Sequence, residues 1–166
     1  MFFDEYLTEN QYITETFKSV DEVEEAFKKM KDPDKDFMSL YKSLLKIFTT
    51  SATLGTAASA GLGAGIITGS TGLLAIGAVS AIMFIVIRYF TKWIAMPGSV
   101  DYQLAKCEKF ITECQKSIDK IDDPKIKKEI EKAMNEAKKQ AKKVYNKLPD
   151  NIKNEPKYNK TKSLIY

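Results

Sequence analysis

The chain has 166 residues, 44% hydrophobic and 29% charged, with a formal net charge of +4 and no histidine. A single domain is expected at that length, and the missing imidazole excludes Ser–His and Cys–His catalysis and the commonest metal ligand. Charge is unevenly spread: residues 1–36 carry eleven acids and five lysines, residues 124–166 carry thirteen lysines and five acids, and Ile47 to Ile87 carries none of either sign.

Residues 1–45 read as an acidic helical arm. The opening, Met1-Phe2-Phe3-Asp4-Glu5, has acids where a secretory signal has its basic region, so no signal peptide is expected. Ser19 and Glu22 form a capping-box pair, and Val20, Val23, Phe27 and Met30 follow at helical spacing. Asp32-Pro33-Asp34 is expected to break this helix. A second helix should restart near Asp36 with Phe37, Leu40, Tyr41, Leu44, Leu45 and Phe48 on one face, and run on into the uncharged region.

Residues 46–96 read as a hydrophobic, glycine-rich helical hairpin of transmembrane type. Thr68-Gly69-Ser70-Thr71-Gly72 is a cluster of turn formers. It divides a milder half, 46–67, from a strongly apolar half, 68–90, each near the roughly 20 residues needed to span a bilayer. Ala57, Gly61, Gly65 and Gly69 recur at every fourth position, a small-xxx-small face that lets helices approach closely in lipid. This run resembles the glycine zippers of membrane channel and pore-forming proteins. Lys42 and Lys46 before the hairpin, and Arg88, Tyr89, Lys92 and Trp93 after it, are candidate membrane-interface residues. Positive residues at both outer ends place both termini on the cytoplasmic side of an inserted hairpin. The competing expectation is a hairpin buried in a protein shell.

Residues 97–148 read as a heptad-patterned antiparallel helical pair. Ser99 caps the first helix, whose seam is Val100, Leu104, Cys107, Ile111, Cys114, Ile118 and Ile121. Cys107 and Cys114 lie about 10 Å apart along such a helix, too far for a disulfide. Asp123 and Pro124 open the second helix, with Ile130, Met134, Ala137, Ala141, Val144 and Leu148 as its seam. Residues 149–166 are polar, basic and unpatterned, and an extended tail is expected there.

No catalytic constellation, phosphate-binding loop or dinucleotide fingerprint is present, so the sequence reads as non-enzymatic and without a cofactor or metal. Phe3-Asp4-Glu5-Tyr6-Leu7-Thr8-Glu9 pairs aromatics with acids and ends in a Leu-x-Glu site, and Ile13-Thr14-Glu15 repeats that site. The segment resembles the capsid-targeting segments of internal head proteins in T-even-type tailed bacteriophages. That resemblance implies packaging in a phage head and trimming at Leu7–Glu9 or Ile13–Glu15.

The whole is therefore expected to be an all-α bacteriophage virion structural protein with a membrane-insertable or assembly-buried hairpin, aiding genome delivery. It would reside in the virion, the host inner membrane or both. The alternative is a holin-like or toxin-like membrane effector that oligomerises through the glycine zipper. Expected partners are membrane lipid or other virion subunits, in a homo-oligomer. Nucleic acid would be met only through the basic C-terminal tail.

Overall fold

The computed structural model describes residues 17–53 and 73–166, and within them the chain is all-α apart from one two-residue strand pair. Helix α1 spans Val20–Lys28. Ser19 Oγ accepts from Glu22 N at 3.3 Å, but the Glu22 carboxylate accepts from Lys18 N at 2.6 Å, one residue before the cap. Val23 and Phe27 are fully inward.

Helix α2, Pro33–Thr49, begins three residues earlier than expected. Pro33 opens it instead of merely breaking its predecessor. Asp32 accepts from Asp34 N at 3.1 Å as the cap, and proline is well suited to the first turn because its missing N–H would be unpaired anyway. At the other end the expected continuation into the uncharged region does not occur. Thr49 and Thr50 turn their hydroxyls back onto the carbonyls of Leu45, Lys46 and Ile47, and the helix stops.

Strand β1, Ala52–Thr53, then pairs in parallel with β2, Leu73–Leu74, placing Ala52 beside Leu73 and Thr53 beside Leu74. The two ends of the segment 54–72 are thus held side by side. Ala57, Gly61, Gly65 and Gly69 lie outside the described residues, as do Leu7, Glu9, Ile13 and Glu15.

Helix α3, Ile76–Ile94, is the apolar one, with ten of its residues buried. Met96-Pro97-Gly98 ends it, and a methyl group at Gly98 would run into the Tyr102 ring. Helix α4, Val100–Ile118, is capped by Ser99, which accepts from Tyr102 N at 3.2 Å. Helix α5, Pro124–Tyr145, is capped by Asp123, which accepts from Lys125 N at 2.8 Å and Ile126 N at 3.2 Å. Helices α4 and α5, separated by only five residues, fold back on each other. Leu104, Cys107, Ile111, Cys114, Ile118 and Ile121 are all buried on one side of the seam, and Ile130, Met134, Ala137, Ala141 and Val144 on the other.

The centre of the core is aromatic. Phe110 of α4 stacks on Phe90 of α3 at 4.3 Å and on Tyr41 of α2 at 4.6 Å, while Phe37 stacks on Trp93 at 5.0 Å. Rings at such offsets add about 0.5–1.5 kcal/mol per pair to the burial of their surface. Helix α4 is therefore buried on a broader face than its heptad pattern predicts, because α2 and α3 also pack on it beside α5.

The expected extended tail is instead folded. Helix α6, Asp150–Lys153, a 3-10 turn, Pro156–Tyr158, and helix α7, Asn159–Ile165, lie against α4 and α5. Tyr158, Thr161 and Ile165 are buried. Tyr158 donates to Asp101 at 2.6 Å and Thr161 donates to Glu108, so the tail is pinned by carboxylates of α4.

Candidate functional site

Three features stand out from the helical body: the base of segment 54–72, the apolar face of α3, and the lysine-rich side of α5.

The base of the segment is fastened by a side chain. Asp123, already the cap of α5, turns its second oxygen to Thr53, accepting from the backbone N at 2.6 Å and from Oγ1 at 2.8 Å. Partial burial pushes this carboxyl up, but hydrogen bonds from Thr53, Ile126 and Lys125 outweigh that and leave its pKa lowered. One carboxylate therefore ties the end of β1 to the start of α5. Because β1 is paired with β2, the start of α3 lies there too.

Helix α3 is long and apolar enough to cross a membrane by length and composition, and half of that window is buried in the body. Its outward strip, Gly77, Ser80 and Phe84 with the half-buried Ala81 and Ile87, is uncharged, and Phe84 is 66% exposed. Most of the residues expected to form a membrane-interface belt are engaged elsewhere. Tyr89 is buried and stacks on Phe27 at 5.4 Å. Trp93 is buried and donates its indole N–H to Asp34 at 2.8 Å. Arg88 is paired with Glu24 at 2.5 Å, Lys42 with Glu113 at 3.8 Å, and Lys92 sits 4.8 Å from the Tyr89 ring. Lys46 is exposed. The belt reading is thus corrected for Tyr89 and Trp93. An amphipathic ring with a polar tip satisfies either a headgroup layer or a partly buried carboxylate, and here α1 and α2 supply the protein partners.

Lys106 is a buried cation. It is only 3% exposed, donates to Trp93 O at 2.8 Å, and faces the rings of Tyr102 at 4.0 Å and Trp93 at 5.5 Å. Burial lowers its pKa, opposed by the nearby Asp34 charge. The ammonium caps the negative end of α3, and the aromatic faces compensate part of its lost hydration. No sequence pattern announced it, since Lys106 sits one place before a seam cysteine and looks solvated.

The cysteines are inert in this setting. Cys107 and Cys114 are free and buried, and burial pushes both thiols up to about 12. Cys114 Sγ lies 3.0 Å from the Tyr41 hydroxyl. Among the described residues no group of His, Cys, Asp or Glu could hold a metal ion.

The basic side belongs to α5. Ala137 to Leu148 contains Lys138, Lys139, Lys142, Lys143 and Lys147 and no acid. A groove of about 540 Å³ runs between this part of α5 and the end of α3, lined by Thr91, Ile94, Gln103, Gln140, Lys143 and Lys147 among others. Among the described residues no carboxylate lines it, although Gln140 donates to the neighbouring Glu136 at 3.2 Å. Comparison with protein-family models, curated proteins and solved structures finds no match to this chain.

Proposed function

We propose that this chain is a non-enzymatic, virion-associated structural protein of a tailed bacteriophage, whose charged helical body delivers an uncharged segment to a membrane or to an assembly interface. The observation that carries this reading is the closed base of segment 54–72. The two described ends of an ion-free stretch of sequence are paired, Ala52 beside Leu73 and Thr53 beside Leu74. Such a stretch has little to gain from bulk water and much to gain from lipid or protein cover. Its glycines at every fourth position suit close helix packing once water is excluded.

The inserting element in this reading is residues 54–72 with the outward strip of α3, not all of α3. Tyr89, Phe90 and Trp93 are part of the core and cannot leave without dismantling it. The phage assignment rests on the resemblance at residues 3–15.

Two measurements test the proposal. Flotation of the purified full-length chain with phospholipid vesicles should carry it to the top of the gradient. Mass spectrometry of purified particles should find it in virions. Absence from virions overturns the virion assignment. Depolarisation of cells expressing the chain alone, abolished by Gly65→Ile, would favour the holin-like alternative instead.

A further inference from the structure

The body has two chemically different ends. The bond from Thr53 to Asp123 and the β1–β2 pairing put the start of α3 beside the start of α5. The groove lined by Thr91 and Ile94 on one wall and Lys143 and Lys147 on the other puts their last turns together as well. The two helices therefore run parallel. Thr53 and Leu73, which flank the uncharged segment, lie at their common start, and the acid-free lysines lie at their common finish. From Asp123 to Lys143 is about 30 Å at 1.5 Å per residue.

The lysines exceed what the helix ends require. One or two cations satisfy the carbonyl ends of α3 and α5. Lys138, Lys139, Lys142, Lys143 and Lys147 are five, and Lys160 and Lys162 of α7 are added at the same end, where α7 packs on α4 and α5. None of these seven is in an ion pair among the described residues, whereas Lys153 and Lys157 nearby are paired with Asp150, Asp101 and Glu155. Lys139, Lys143 and Lys147 form one exposed row at every fourth position. Gln140 and Gln103, in the groove wall, donate to Glu136 at 3.2 Å and to Ile94 O at 3.3 Å, so the lysines alone carry the charge of this surface.

We infer that the C-terminal half of α5, with the groove beside it, binds the phosphate backbone of duplex nucleic acid without reading its sequence. A row of ammonium groups matches a row of phosphates through counterion release. The sparse aromatics along the row do not favour stacking of single strands. Anionic lipid is the competing polyanion. This choice rests on the membrane-facing reading of segment 54–72: with that end in a bilayer, the lysine row stands about 30 Å away, several times the Debye length of about 8 Å at physiological salt.

The test is fluorescence anisotropy of a labelled random-sequence DNA duplex with the full-length protein across a salt series. The row from Lys138 to Lys147 covers about 14 Å of helix axis, facing about four phosphates of one strand, so log K against log salt should slope near −3 to −4. Lys139→Glu with Lys143→Glu should weaken binding at least tenfold and flatten the slope by about two. Lys29→Glu with Lys31→Glu, an equal charge change on the acidic arm, should leave binding within twofold. Circular dichroism checks that both variants remain folded. No binding at low salt overturns the inference, as does equal weakening by both variants. Displacement of the duplex by phosphatidylserine vesicles would assign the surface to lipid. Self-association abolished by Lys139→Glu with Lys143→Glu would assign it to the acidic arm of a second copy. DNA binding without vesicle flotation would leave the lysine surface standing while removing the membrane reading.

Discussion

Trp93 and Asp34 meet 59 residues apart in sequence, the indole N–H donating to the carboxylate at 2.8 Å. Tyr102 donates to the other oxygen of the same carboxylate. The first turn of α2 is thereby fixed to the last turn of α3 and the first of α4. Trp93→Ala should cost about 3–5 kcal/mol, the range for deleting a large buried aromatic. Trp93→Phe should cost about 1 kcal/mol, reporting mainly the lost hydrogen bond. Urea unfolding followed by far-ultraviolet circular dichroism measures both.

The acid side of the stability profile follows from the same carboxylate. Asp34 is held below its usual range first by the Tyr102 hydroxyl and then by the Trp93 N–H, and Asp123 is lowered by the bonds from Thr53 and its own cap. A group whose folded pKa lies below its unfolded value stabilises at higher pH, and that contribution disappears as pH falls through the folded value. Stability should be flat from pH 7 to about 5 and decline below about 4. Asp34→Asn with Asp123→Asn should shrink the decline, read from urea midpoints at each pH.

Asp123 is a second point of leverage. Asp123→Ala removes the cap of α5 and should cost about 1–2 kcal/mol. Thr53→Val leaves the cap intact and removes only the hydroxyl donor to it. Its cost should be under about 1.5 kcal/mol. Hydrogen exchange should then speed up at the start of α3 more than at its end. Uniform acceleration along α3 would contradict a local fastening.

Phe84 is the exposed apolar side chain of α3. Phe84→Asp should leave the urea midpoint of the body nearly unchanged, within about 0.5 kcal/mol, because the ring contributes little to the core. The same change should weaken vesicle association at least tenfold, since an inserted ring contributes about 1.5–3 kcal/mol. Flotation at graded lipid concentrations gives the ratio.

Cys107 and Cys114 should resist a thiol-exchange reagent at pH 8 in the native protein and react together once urea unfolds it. Their thiols are buried and held up to about 12, so almost no thiolate is present. Prompt native labelling of either residue would contradict the packing described.

Much of this architecture is legible in the sequence, for identifiable reasons. The α4–α5 seam steps by four and three without interruption, and Ser19, Ser99 and Asp123 are capping residues at the places where helices begin. The end of α2 is also encoded there, in Thr49-Thr50-Ser51, but the back-bonding hydroxyls give a weaker local signal than the long apolar run that follows. Tyr89 and Trp93 misled because an interface belt and a core ring share the same composition. What separates them is Asp34 and Phe27, far away in the chain. The tail misled for a similar reason: Tyr158, Thr161 and Ile165 are three inward residues in a lysine-rich stretch, and their partners Asp101 and Glu108 lie some fifty residues upstream. Lys106 had no local signal at all.

The two-residue parallel ladder between Ala52–Thr53 and Leu73–Leu74 makes the body a graft site. Its stem fixes the spacing of the entering and leaving strands whatever lies between them, and doubling the length of a flexible insert would add only about 0.6 kcal/mol of closure cost. Cargo of different size and character should therefore be exchangeable at this stem while the seven helices of the described residues persist.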